Sequence, residues 1–335
     1  MEKHSLTDEE LQQAIGKFFE SPQIGVANPL SMGVENSNYH IEVNGQDLVL
    51  RVYGFEHSHI GPRSENDLTY ELTFMQAVHE AGVQVPLIHR TLEGELFSSV
   101  ETVDGTRFVS VVDYVPGEAP RDFTGDMLGQ VARAIATMHQ IATGLEMPVQ
   151  RNWIGDMHIK AQDRMDRYLK HPKRTQTDDS ELFEGLLDVY EELRNKIDFG
   201  ALPRGPIHGD VLYHNMVFEG SQLRGIFDFD DCRESYFVED IVKTLFKYLD
   251  DPSISLIGEG RENYQAFIQA YESVRPLSDD ERLAIQALFF SIVQYEVSRI
   301  FYEEWDGRPE PRFDRGVFLE KARAIGRELG FIDSE

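Results

Sequence analysis

Between Ile207 and Asp231 the chain reads IHGDVLYHNMVFEGSQLRGIFDFDD, and this stretch restricts the possible folds more than any other. Two short apolar runs, Met216 to Phe218 and Leu223 to Phe227, flank Glu219-Gly220-Ser221-Gln222, a pattern that predicts a hairpin. The loop before it carries His208, Asp210 and Asn215, and the loop after it opens with Asp228. A hairpin of that length fixes the spacing between two oxygen-bearing loops. The architecture must therefore present Asp210, Asn215 and Asp228 as a set.

Phosphoryl transfer asks for such a set. One carboxylate accepts or orients the proton of an attacking hydroxyl, while an amide oxygen and a second carboxylate hold magnesium ions against the phosphates. On this reading Asp210 is the catalytic group, and Asn215 and Asp228 are the metal ligands. A zinc or iron hydrolase built on His208, Asp210 and His214 is the competing reading. No further histidine-carboxylate motif supplies its remaining ligands.

The chain has 335 residues, enough for two domains or one domain of two lobes. It contains no run of about 18 apolar residues, which argues against a membrane span. The opening MEKHSLTDEE is too acidic for a signal peptide, and Cys232 is the lone cysteine, so a reducing cytoplasm is expected. A net charge of −27 argues against nucleic acid or an anionic membrane as partner. A nucleotide site in this chain must therefore be locally basic or compensated by metal.

Thr7-Asp8-Glu9-Glu10 is a capping box that opens an amphipathic helix over 7–20, with Leu11, Ile15, Phe18 and Phe19 on its apolar side. From Ile24 to about Tyr53 the pattern is β-rich. Tyr39 to Val43 and Leu48 to Val52 flank Asn44-Gly45, a strong hairpin signal. Helical spacing returns over 65–81, and two further strands are expected near 94–100 and 107–115. Pro116-Gly117 ends the β-rich part, giving a lobe of residues 1–116 and a helical lobe of residues 117–335. Helices are expected over 127–143, 180–197 and 262–274, and a long one from the capping box at Ser278 to about Trp305. A gap between two such lobes is a favoured ligand site.

His208-Gly209-Asp210, Asn215 and Ile226-Phe227-Asp228 resemble the aminoglycoside/choline phosphotransferase family, which has a protein-kinase-like fold and includes homoserine kinases and bacterial stress-response kinases. The resemblance covers roughly residues 24–305. It implies an α+β bilobal fold, with a small N-terminal lobe built on an antiparallel sheet and a larger, mostly helical C-terminal lobe. It also implies ATP and Mg2+ as cofactors and a small hydroxyl-bearing acceptor such as an amino alcohol. A serine/threonine protein kinase and a nucleotide-binding pseudokinase scaffold are the alternatives.

Further roles follow from the resemblance. Gly33, Asn36, Ser37 and Asn38 stand where the family has its nucleotide-covering loop, and Arg51 stands where a basic residue meets the phosphates. Glu71 is the expected carboxylate partner of Arg51, with Glu65 in reserve. Asp113 and Val115 belong to the strand whose backbone would meet the adenine edge, with Tyr114 between them. His208 is expected to support its loop by hydrogen bonding, His139 to be structural, and Asp240 to cap backbone amides of the catalytic loop. Asp230 is read as a metal or substrate helper or as part of a simple turn. The segment 153–177 and the residues Glu296, Arg299, Tyr302, Glu303 and Trp305 are candidates for acceptor recognition. His57-x-His59 beside Glu56 is read as a solvated turn.

Overall fold

The computed structural model describes residues 6–30, 36–57, 61–151, 157–172, 178–250, 255–256, 260–305 and 315–332. Gly33, His59 and Trp153 lie outside the described residues, as do the side chains of Arg299, Tyr302, Glu303 and Trp305.

The chain forms two compact units, and neither is a single run of sequence. The first comprises residues 1–117, 146–153 and 224–230; the second comprises 118–145, 154–223 and 231–335. The longest run of the first unit ends at Gly117, and the two short returns, 146–153 and 224–230, carry no compositional signal.

The first unit is built on an antiparallel sheet. Its strands run in the order Ile24–Pro29, Ser37–Val43, Gln46–Val52, Gly105–Asp113 and Ile88–His89, with Ser98–Thr102 also paired to Gly105–Asp113. Asn44 and Gly45 both adopt positive φ, 52° and 80°, as a two-residue hairpin turn demands. Alternation then sorts the faces. Ile41, Val43, Leu48, Leu50, Val52, Val109 and Val111 pack with Leu11, Ala14, Ile15 and Phe18 into one core cluster. Arg51 has the opposite parity, and Asn38 and Ser110 stand directly across from it on the neighbouring strands.

Helix α1 (Asp8–Ile15) closes the core face. Its Thr7 capping box is formed as expected, but the helix ends at Gly16 rather than near residue 20, and Phe18 reaches the core from the turn that follows. Helix α2 (Glu65–Glu80) buries Leu68, Leu72, Phe74 and Val78 together with the carboxyl of Glu71. Its own capping box pairs Ser64 with Asp67.

The second unit is mostly helical: α3 (Gly125–Ala142), α4 (Met157–Lys170), α5 (Asp178–Arg194), α6 (Val238–Asp250), α7 (Gly260–Glu272), α8 (Asp279–Trp305) and α9 (Arg315–Glu328). Helix α3 packs on α7, and α8 packs against α4, α5 and α6. The apolar first half of α8 is central, with Ala284, Ala287, Leu288 and Phe290 fully enclosed. Helices α4 and α9 were not among the expected helices. Strands Arg204–Ile207 and Arg233–Tyr236 pair antiparallel, and Met216–Glu219 pairs with Gln222–Ile226 in the hairpin read from sequence.

Candidate active site

Each unit contributes one cluster of functional residues. In the first, Asp228 follows the hairpin in the left-handed region, at φ 63°. A short polar side chain tolerates that conformation better than most, and here it leaves the carboxylate two-fifths exposed, at 42%. Arg51 projects from its strand to meet two carboxylates. Its Nη2 lies 2.8 Å from Asp228 Oδ1 and 3.0 Å from Asp230 Oδ2.

Asp230 is the hub of a buried charge network. Arg63 donates to both of its oxygens at 3.1 and 3.0 Å, and Arg151 donates to its backbone carbonyl at 2.8 Å while reaching Asp67 at 3.3 Å. Burial opposes ionisation of Asp230, but Arg51 and Arg63 outweigh it and hold the carboxyl far below the usual range. Arg51 shows the converse. Burial works against its charge, and Asp230 and Asp228 more than restore it.

This geometry changes several expectations. Arg51 was expected to pair with Glu71, but its direct partners are Asp228 and Asp230. Glu71 is buried, while Glu65 is exposed. Glu71 Oε1 accepts a hydrogen bond from the Tyr53 hydroxyl at 3.2 Å, and Tyr53 also lies 3.2 Å from Ser110 Oγ. Burial, reinforced by the field of Asp230, pushes the Glu71 carboxyl up to about 7. Asn36 has its side chain committed inside the protein. Its Nδ2 donates to Asp230 at 2.5 Å, and its Oδ1 accepts from Gly54 N and Arg63 at 3.1 and 3.2 Å. Any approach to phosphate at Asn36 thus falls to the backbone. Asn38 shares the face of Arg51, whereas Ser37 has the parity of the core-facing Tyr39. Asp230, read from sequence as a metal or substrate helper or as part of a turn, is paired with Arg51 and Arg63 in the structure.

Along the expected adenine edge, Asp113 pairs with His89 at 2.7 Å and donates its N–H to Leu87 O at 2.9 Å. Tyr114 stacks on His40, with ring centroids 4.1 Å apart, and donates its N–H to Asp47 O. Val115 presses against Gly225, where a Cβ would come within 3.2 Å of Val115 Cγ1 and 2.9 Å of the Phe227 ring. Only glycine allows that approach.

Two buried polar atoms of this cluster, Arg51 Nε and Glu71 Oε2, have no hydrogen-bond partner among the described residues. A buried guanidinium N–H left open beside an exposed carboxylate fits an incoming anion carrying its own cation. A group of three or more His, Cys, Asp or Glu side chains placed to hold a metal ion is absent among the described residues.

The Glu71 carboxyl gives a prediction about stability. Its folded value, about 7, lies above the ordinary 4.5, so between these values the folded chain binds the extra proton. Stability from this group is complete below 4.5 and is lost as pH rises through 7. Thermal melting of the parent should therefore fall relative to Glu71→Gln across that window. Parallel melting curves for the two proteins would contradict it.

The second cluster surrounds the loop His208–Asn215. Gly209 sits at φ 80°, where a Cβ would collide with the Asp231 carbonyl and the Arg233 guanidinium. Asp240, in the first turn of α6, accepts from His208 N at 2.9 Å and from Gly209 N at 2.7 Å, as expected of a cap. Behind it, His139 Nε2 lies 3.2 Å from Asp240 and His139 Nδ1 lies 2.8 Å from the Tyr271 hydroxyl. Burial lowers the His139 value, so the ring is a neutral structural support.

His208 Nδ1 accepts the Asp210 N–H at 3.2 Å, so its role in supporting the loop is visible. That nitrogen is consequently not a donor to metal, which counts against the hydrolase reading. Asn215 Nδ2 donates to Asp210 Oδ2 at 2.7 Å and to the Asp210 carbonyl at 3.0 Å, leaving the amide oxygen Oδ1 for a cation. Lys243 Nζ lies 2.7 Å from Asp210 Oδ1. Burial opposes the Asp210 charge, yet Lys243 holds the carboxyl below its ordinary value, so it is ionised at neutral pH. Lys243 was missed from sequence, although its position three residues after Asp240 puts it on the same helical face.

Residues 26–277 match the phosphotransferase enzyme family. The chain belongs to that family. Among its relatives, the homoserine kinase of Rhizobium etli is 26% identical over 318 residues, covering 90% of this chain and 88% of its own length. That of Phenylobacterium zucineum is 28% identical over 318 residues, covering 91% and 87%. Solved structures show the same kinase-like fold. One is an amicoumacin kinase in complex with AMP-PNP and Ca2+, with a TM-score of 0.67, 17% identity and 98% and 96% coverage of the two chains. A microcompartment-associated aminopropanol kinase has a TM-score of 0.64, 18% identity and 94% coverage of both. This phosphotransferase is an ATP-dependent kinase directed at the hydroxyl of a small molecule. None of its helices is long and apolar enough to cross a membrane, among the described residues.

Proposed function

We propose that this phosphotransferase moves the γ-phosphoryl group of ATP to the hydroxyl of a small amino alcohol, with homoserine the first acceptor to test. The observation that carries this reading is the likeness to homoserine kinases along about nine-tenths of the chain, 90% and 91% in two of them. Within that reading Asp210 takes the hydroxyl proton as the acceptor oxygen bonds to the γ-phosphorus. The bond from that phosphorus to the β–γ bridging oxygen breaks, and ADP leaves. Arg51 steadies the phosphate tail, and the backbone of Asn36 with Ser37 and Asn38 borders it. Asp113 and Val115 meet the adenine through their main chain. Glu71 with Tyr53 supports the strand beneath Arg51.

Asn215 Oδ1 and Asp228 are the groups that would hold magnesium, which neutralises phosphate charge when bound with the nucleotide. The alignment of these groups and their charges supplies most of the rate. The lone cysteine and the use of ATP suit a cytoplasmic enzyme.

ADP release measured across L-homoserine, aminopropanol, ethanolamine, choline, hydroxylysine, an aminoglycoside and a serine-rich protein tests the acceptor. The highest kcat/KM is expected with an amino alcohol. Turnover with the protein substrate alone would overturn the reading in favour of a serine/threonine kinase.

A further inference from the structure

Among the described residues of the second cluster, Lys243 is a cation whose contacts converge on the reacting loop. It stands on α6 one turn after Asp240, and the two side chains grip the same short segment from complementary sides. Asp240 accepts the N–H groups of His208 and Gly209. Lys243 Nζ donates to the Gly209 carbonyl, lies 2.7 Å from Asp210 Oδ1 and lies 3.5 Å from Asp231 Oδ2. An ammonium carries three N–H groups, and here they have three protein oxygens to face. Lys243 is thus occupied by the protein and acts through Asp210.

The consequence lies in the other oxygen. Asp210 Oδ1 is held by a charge-assisted bond, while among the described residues Oδ2 accepts the amide of Asn215 at 2.7 Å, with His214 Nε2 at 3.9 Å. With the Oδ1 edge locked, a hydroxyl that meets this carboxylate meets Oδ2. We propose that Lys243 is a positioning residue for phosphoryl transfer, fixing which oxygen of Asp210 faces the acceptor. This rests on Asp210 being the catalytic carboxylate. Loop anchoring alone does not require the lysine, because Asp240 already binds two consecutive amides of the loop.

A double-mutant cycle over Lys243→Met and Asp210→Asn tests it, with kcat, the KM for ATP and thermal melting measured on all four proteins. Lys243→Met should lower kcat about 30-fold or more while the KM for ATP stays within about twofold. The same change should cost nothing further when Asp210 is already asparagine. Lys243→Arg keeps the charge but not the compact ammonium, so its kcat should fall between parent and Met. If Lys243→Met does not fold, a loss of kcat at unchanged KM in Lys243→Arg carries the test, and parental kcat there refutes it. Equal losses of kcat in both backgrounds, or a KM for ATP rising in step, would also refute it. Melting separates the two readings, since it needs no turnover. A parent inactive on every acceptor overturns the functional reading, whereas an active parent with no Lys243–Asp210 coupling in melting overturns the Lys243 proposal alone.

Discussion

Asp210→Asn should retain nucleotide binding while lowering kcat about a thousandfold, the middle of the range for a positioned proton acceptor. The physical basis is specific. Asp210 is an ionised carboxylate braced by Lys243 at one oxygen and by the Asn215 amide at the other. Asparagine keeps the volume but has one oxygen and no charge, so it can brace the loop without taking a proton. Calorimetric titration with a non-hydrolysable ATP analogue and magnesium should give a Kd within about threefold of the parent. Transfer at the parental rate would remove Asp210 from its assigned role.

The second large effect is expected at Asp228. Asp228→Asn should weaken binding of Mg2+-ATP by at least the ~100-fold that losing even an outer-shell metal partner can cost. Asparagine is the informative substitution because position 228 has φ 63°, which asparagine tolerates nearly as well as aspartate. Alanine would add backbone strain of about 1–2 kcal/mol and confuse the result. Arg51 keeps Asp230 as a partner at 3.0 Å, so the guanidinium is not stranded. The readout is the rise in melting temperature on adding ATP, with and without magnesium. A magnesium-dependent rise equal to the parent's would show that the ion is held elsewhere.

These two residues were legible in sequence because their signals are local. His208-Gly209-Asp210 and Asp228 sit either side of a hairpin short enough to read directly, and Asn44-Gly45, Thr7 and Ser278 announce their turn and caps in the same way. The charge network around Asp230 was not legible. Asn36 and Arg63 lie 194 and 167 residues away from it, and Arg151 lies 79 away, so only the folded chain shows who pairs with whom. The same limit explains why Glu71 was matched to Arg51. Sequence showed a carboxylate on the right helix, but not that two others lay closer to the guanidinium. Lys243 stood between these cases: its helical face could be counted from Asp240, but its target could not.

The Arg51 guanidinium grips both Asp228, proposed above as a magnesium ligand, and Asp230. On the roles proposed for these residues, an arriving triphosphate competes with Asp228 for the guanidinium, and its departure lets that carboxylate return. Asp230 stays 3.0 Å from the same guanidinium, so on that reading Arg51 can exchange Asp228 for phosphate and still keep a carboxylate partner.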